Sequence, residues 1–268
     1  MLSFLKMHGC GNDFVVFDAR EKALPALNWK KIADRHFGIG CDQVVILEKS
    51  SKADVFMRIY NADGSQVASC GNASRCVGWL MGKKTATIET LAGIIEAQVE
   101  GETVTIDMGA PRLEWNEIPL AKLCDTLHVP AEEGPLRDAV AVSMGNPHVV
   151  FFVDDANAIA LEKIGPVLEH HPLFPERVNV NVAQVVAKNK IRLRVWERGA
   201  GLTLACGTGA CATLVAAHRR GLAERKAEIE LPGGTLAIEW REETNHVLMT
   251  GPVAMSFKGE LNPESYAL

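Results

Sequence analysis

The chain is poor in aromatic residues, which make up 6% of its 268 positions and include only two tyrosines. It also lacks a basic block. Its 28 Lys and Arg residues are outnumbered by 33 Asp and Glu, for a net charge of −5. A nucleic-acid binder carries a basic footprint, so nucleic acid is not expected as a partner. Apolar runs such as 149–153 are far too short to cross a bilayer, so no membrane partner is expected either. Lys6, His8 and Asp13 interrupt the N-terminal stretch before the apolar core of a signal peptide can form. The expected location is therefore the cytoplasm. There is no Cys-x-x-Cys pair. The seven cysteines, at 10, 41, 70, 76, 124, 206 and 211, are odd in number. That argues against a disulfide framework, and their spacings argue against a structural zinc site. No metal is expected. No pyridoxal site is apparent, and no cofactor is expected.

What the chain does contain is a copy of itself. Gly11-Asn12-Asp13-Phe14-Val15-Val16-Phe17 recurs as Gly145-Asn146-Pro147-His148-Val149-Val150-Phe151. Arg58-Ile59-Tyr60-Asn61 recurs as Arg194-Val195-Trp196-Glu197. Cys70-Gly71-Asn72 recurs as Cys206-Gly207-Thr208, and Ile88-Glu89-Thr90-Leu91-Ala92-Gly93 resembles Ile229-Glu230-Leu231-Pro232-Gly233-Gly234. The matches keep their order at a nearly constant offset. The period is too long for a solenoid and predicts two similar domains with a ligand site at their seam.

Short apolar runs predict strands at 14–17, 44–47, 55–60, 86–89, 94–99 and 103–107. Their counterparts are 148–153, 182–187, 191–196, 227–230, 235–240 and 246–250. Helical spacing begins after each Cys-Gly pair, over 72–82 and 208–220, with Gly82 and Gly221 as stops. Gly/Pro clusters punctuate the chain at 109–111 and 251–252. The expected fold class is α+β: two pseudo-symmetric α/β domains with the active site in the cleft between them. The expected domains are 1–115, joined by the tail 254–268, and 116–253.

Cys70 and Cys206 each precede the first turn of a predicted helix. Unpaired backbone N–H groups there carry partial positive charge, which lowers a thiol pKa and can also hold a carboxylate. Gly71 and Gly207 let a ligand approach the backbone closely. A base on one face of a carbon and an acid on the other, both titrating near the working pH, is what inversion next to a carboxylate requires. One buried cysteine before a helix means little; two at repeat-equivalent positions point to a thiolate/thiol pair. The residues alone leave two other classes open, a thiol redox protein and a non-catalytic amino-acid binder.

Three groups of residues then resemble a known family. They are Met7-His8-Gly9-Cys10-Gly11-Asn12-Asp13-Phe14; Asn61-Ala62-Asp63-Gly64-Ser65 with Cys70-Gly71-Asn72; and Glu197-Arg198-Gly199 with Ala205-Cys206-Gly207-Thr208-Gly209. The family is diaminopimelate epimerase, and the likeness runs end to end. It implies a cofactor-independent isomerase that interconverts LL- and meso-diaminopimelate in lysine and peptidoglycan biosynthesis, as a homodimer. It implies Cys70 and Cys206 as base and acid, exchanging roles with reaction direction. Gly71, Asn72, Gly207 and Thr208 match groups that bind the reacting carboxylate and amine. Asn12, Gln43, Asn61, Asn146, Asn179, Glu197 and Arg198 match the remaining substrate contacts. His148 and Glu197 match residues that tune the cysteines. Such a set suits a substrate charged at both ends: Arg198 can hold a distal carboxylate and the asparagines can read a zwitterion. The nearest competing reading is a proline-type racemase, whose small ring substrate would not need Glu197, Arg198 and several asparagines.

Overall fold

The computed structural model describes residues 1–268. The first half runs β1 (Leu2–Gly9), β2 (Asn12–Asp18), α1 (Trp29–Ala33), β3 (Gln43–Glu48), β4 (Val55–Asn61), β5 (Gln66–Val67), α2 (Gly71–Leu80), β6 (Thr85–Thr90), β7 (Gly93–Glu100) and β8 (Thr103–Asp107). The second half runs β9 (Val140–Ser143), β10 (Pro147–Phe152), α3 (Leu161–Glu169), β11 (Asn179–Ala187), β12 (Lys190–Glu197), β13 (Gly201–Thr203), α4 (Gly207–Arg219), β14 (Lys226–Leu231), β15 (Gly234–Trp240) and β16 (Val247–Pro252). A last strand, β17, spans Ala254–Leu261.

The strand pairings are those of a repeat. In the first half β1–β2 is antiparallel, β2–β3 parallel, β3–β4 antiparallel, β4–β6 parallel and β6–β7 antiparallel. In the second half β9–β10, β10–β11, β11–β12, β12–β14 and β14–β15 follow the same sequence of senses. Register is kept as well. Phe14 sits opposite Gln43 as His148 sits opposite Asn179, and Val45 opposite Ile59 as Asn181 opposite Val195. The fold is α+β and pseudo-symmetric.

Burial explains which strands were readable. β4 alternates buried Val55, Met57 and Ile59 with partly exposed neighbours, the period-2 pattern of a half-covered sheet. Val44 to Leu47 in β3 and Pro147 to Phe151 in β10 are buried without alternation. Each pairs in parallel on one edge and antiparallel on the other, and a strand buried on both faces reads as a continuous apolar run. Gly82 (φ 65°) and Gly221 (φ 70°) adopt the left-handed conformation just past α2 and α4, which glycine accepts without strain.

Two compact units emerge, Met1–Ile106 with Gly251–Leu268, and Asp107–Thr250. The first division falls ahead of the 115/116 boundary expected from chain punctuation, because Arg112 already pairs with Ser143 of β9. The tail returns to the first unit as β17 paired with β1, from Leu2–Leu261 to His8–Ala254. The first unit centres on Phe4, Val15, Phe17, Ile32, Val44 and Leu261. The second centres on Val149, Phe151, Leu161, Leu168, Val180 and Val182. No helix is long and apolar enough to cross a membrane.

Candidate active site

In the first unit, the two-residue turn Cys10-Gly11 joins β1 to β2 with both φ positive, at 53° and 82°. Such a turn matches the twist of a hairpin and sets Asn12 opposite Gly9. The Asn12 amide is pinned at both ends. Its Nδ2 donates to Asp42 Oδ2 at 2.8 Å, and its Oδ1 accepts from Asn72 Nδ2 at 3.0 Å. Arg35 holds the carboxylates of Asp13 and Asp42 together, each at 2.7 Å. Asn72 is oriented in turn by Arg75, a fully buried side chain whose Nη1 donates to Asn72 Oδ1 at 2.9 Å.

Cys70 is the N-cap residue of α2, with extended φ −149° and ψ 115° and no side-chain cap hydrogen bond. Its sulfur lies 3.9 Å from Asn12 Oδ1. Gln43 and Asn61 face each other across β3 and β4 and are joined by Nε2–H to Oδ1 at 3.0 Å. Ser65 then receives the Asn61 amide at 3.2 Å. Asn12, Asn72 and Cys70 thus form one contact group, and Gln43 with Asn61 another.

The second unit repeats the plan with different side chains. Cys206 caps α4 in the same way, at φ −123° and ψ 110°. Its sulfur lies 3.6 Å from Thr208 Oγ1, which accepts from Asn146 Nδ2 at 3.3 Å. His148 Nε2 is 3.1 Å from Asn146 Oδ1, and His148 Nδ1 is 3.2 Å from Asn181 Nδ2. Asn179 Nδ2 donates to the Pro147 carbonyl and Asn179 Oδ1 accepts the Arg198 backbone N–H, both at 2.9 Å. The exposed Arg198 side chain donates from Nη1 to the Glu176 carbonyl at 2.8 Å. Glu197 Oε1 accepts from Thr203 Oγ1 at 2.6 Å, and the Glu197 carboxylate also reaches Cys206.

Electrostatics separate Cys206 from the expectation for a helix start. Its thiol is pushed well above the ordinary value, first by burial and then by the Glu197 charge; the Thr208 hydroxyl and the Gly209 backbone N–H pull the other way. Desolvating a thiolate outweighs the half charge at a helix end. Cys70 is only partly buried. Cys41 and Cys76 are pushed up to about 12 by burial, as inert core thiols are. No disulfide links any cysteine, and no cluster of three His, Cys, Asp or Glu side chains could hold a metal.

Sequence reasoning missed Asp42, Arg75, Asn181, Thr203 and Gly209. Asn181 had a signal: it follows Asn179 by two positions on one strand and so shares its face. At Gly209, an added Cβ would lie 2.7 Å from Asn181 Oδ1 and 3.3 Å from the Cys206 sulfur, so only glycine fits without displacing one of them.

Buried His148 is held neutral, lowered to about 3 by desolvation and by the Arg198 charge. The unfolded chain takes up its proton near the ordinary 6.5, while the native state does so only near 3. Stability should therefore fall as pH drops between those values, by up to about 1.4 kcal/mol per pH unit from this group. Chemical denaturation against pH tests this in wild type and in His148→Phe, which installs the residue found at the repeat-equivalent Phe14. The variant should lose that part of the slope. Parallel pH profiles for the two proteins would refute it.

The diaminopimelate epimerase family profile matches residues 4–114 and 140–256. The chain belongs to the diaminopimelate epimerase family. It is an isomerase of that family. It is 59% identical over 268 residues to the diaminopimelate epimerase of Rhodospirillum centenum, covering 97% of this chain and 92% of that one. It is 57% identical over 267 residues to that of Acidiphilium cryptum, covering 97% and 96%. Among solved structures, a PhzF-family phenazine biosynthesis protein of Bacillus anthracis superposes with TM-score 0.72 at 18% identity, covering 97% and 99%. A hydroxyproline epimerase of Agrobacterium vitis does so with TM-score 0.68 at 18% identity, covering 99% and 94%. At that identity these two show the fold alone.

Proposed function

We propose that the chain interconverts LL- and meso-diaminopimelate by a two-base mechanism in which Cys70 and Cys206 act on opposite faces of one α-carbon, without a cofactor, in lysine and peptidoglycan biosynthesis. The observation that carries this reading is the equivalence of the two cysteines. Both are N-cap residues of repeat-equivalent helices, with extended backbone conformations in each case. Family membership at 59% identity supports the substrate, and the same likeness supports a cytoplasmic homodimer.

The residues divide the work as follows. Buried Cys206, beside the Glu197 carboxylate, starts as the thiol and is the acid. Cys70 is partly accessible and sits at the positive end of α2, so it serves as the thiolate base. In one direction Cys70 takes the α-proton, the electron pair left on carbon spreads into the carboxylate, and Cys206 delivers its proton to the other face. In the reverse direction the roles exchange. First-turn N–H groups after Cys70 and Cys206 stabilise charge as it builds on the carboxylate. Gly71, Asn72, Gly207 and Thr208 hold the reacting carboxylate and ammonium. Asn12, Gln43, Asn61, Asn146, Asn179, Glu197 and Arg198 make the remaining substrate contacts, with Arg198 on the distal carboxylate and Glu197, beside Cys206, also tuning that thiol.

The test is turnover in deuterium oxide, following stereochemistry and α-deuterium together. LL-diaminopimelate should give meso product with solvent deuterium at the inverted centre, and L-proline should be inert. Racemisation of proline without turnover of diaminopimelate would overturn the reading in favour of a proline-type racemase.

A further inference from the structure

We propose that Asn181 is a positioning residue for this reaction: through His148 and Asn146 it orders a one-way chain of hydrogen bonds that turns the Thr208 hydroxyl hydrogen toward the Cys206 sulfur. The inference rests on the proposed two-base reading and adds to it the device that serves the buried cysteine.

The direction of the chain follows from groups that can only accept. Asn181 Nδ2 lies 3.1 Å from the Val149 carbonyl and 3.3 Å from the Asn179 carbonyl. Two carbonyls require the NH2 end of the amide, so its orientation is settled by chemistry. The same Nδ2 faces His148 Nδ1 at 3.2 Å, and a proton on that ring nitrogen would point at the amide hydrogens, so Nδ1 is left bare and shares those two hydrogens with the carbonyls. The neutral ring then carries its proton on Nε2 and donates to Asn146 Oδ1 at 3.1 Å. Asn146 must turn Nδ2 toward Thr208 Oγ1, at 3.3 Å. With one lone pair of its oxygen engaged by Asn146, Thr208 keeps its rotatable hydrogen for Cys206 Sγ, 3.6 Å away, and donates it once that sulfur is a thiolate. Each link sets the next.

Two further observations mark the anchor as built for a purpose. Asn181 is fully buried, and its Oδ1 has no hydrogen-bond partner. Keeping such an orphan costs about 1–3 kcal/mol, which an apolar residue would avoid. The repeat supplies that apolar residue. The first unit has Val45 at this register position and Phe14 in place of His148. The difference tracks the cysteines, because Cys70 is partly open while Cys206 is buried. A buried thiolate cannot be hydrated and needs an internal donor once its proton has left. The Gly209 backbone N–H is one such donor, and the chain from Asn181 to Thr208 supplies a second.

The test has two parts. In nitrogen-15 spectra of histidine-labelled enzyme, with the His148 signal assigned by its loss in His148→Phe, the proton should reside on Nε2. A proton on Nδ1 would overturn the proposal. In Asn181→Val, which copies the first unit, kcat should fall about tenfold with KM nearly unchanged, because the hydrogen bond matters when charge sits on sulfur. The tautomer signal should spread to both nitrogens. A folded variant with wild-type kcat would also overturn it, and if the variant fails to fold, the wild-type tautomer decides. The tautomer is read without turnover, so it separates failure of this arrangement from failure of the proposed reaction, which would show as a wild-type enzyme inert toward diaminopimelate.

Discussion

Cys70→Ala and Cys206→Ala should each lower epimerisation of diaminopimelate by about 10²- to 10⁴-fold, the range general acid–base groups contribute. The loss should be in kcat, since neither thiol is needed to hold the substrate's charges. The two variants should still differ in kind. Without Cys206, Cys70 can remove the α-proton and return one to the same face, which exchanges deuterium without inversion. Without Cys70, the remaining thiol is buried and starts protonated, so exchange should nearly vanish from the same epimer. Cys124→Ala is the control, a partly exposed cysteine outside both hydrogen-bond groups described above, and it should keep wild-type rates. Near-normal epimerisation in either active-site variant would rule out a two-base scheme. Measuring exchange and inversion in one experiment distinguishes loss of a base from loss of binding.

Much of this arrangement was legible in the sequence because it appears twice. The repeated Cys-Gly step located both helix starts, and short apolar runs located most of the strands from β2 to β16, the continuously buried β3 and β10 included. Other elements carried no such signal. Residues 254–259 of β17 are mostly exposed, so their apolar residues show no periodicity, and the partner of β17 is at the opposite end of the chain. α1 is five residues long, too short for a helical period to register. At the site, sequence could offer candidates for ligand contacts but not the neighbours that orient them. Arg75, Asp42 and Asn181 act on neighbours brought close by strand pairing or by a helical turn, and their residue types alone read as an ordinary charge, an ordinary charge and a turn former. The thiol of Cys206 shows the same limit in electrostatics. The helix start was visible in sequence; the burial that overrides it, and the Glu197 carboxylate beside it, are properties of the packed unit.

Arg198→Met should raise KM for diaminopimelate by about 10- to 100-fold while kcat changes little. A lost charge-assisted hydrogen bond of about 1.5–3 kcal/mol corresponds to that factor. The proposed reading assigns Arg198 this grip. Its backbone N–H is tied to Asn179 Oδ1, and its exposed side chain is steadied by the Glu176 carbonyl, leaving other guanidinium N–H groups for a carboxylate. The distal carboxylate takes no part in the chemistry, so it is bound equally before and during proton transfer, and losing it raises KM rather than lowering kcat. Lysine provides the matched comparison, being a diamino acid without the second carboxylate. If Arg198 reads that group, the preference for diaminopimelate over lysine in kcat/KM should shrink in the variant by the same factor as the KM change, and any residual activity on lysine should be unaffected. Arg198→Lys should recover only part of the loss, because an ammonium cannot make the paired, planar contact of a guanidinium. A fall in kcat at unchanged KM would instead put Arg198 at the reacting carbon, and the assignment of the distal end would have to be exchanged with that of Asn72 and Thr208.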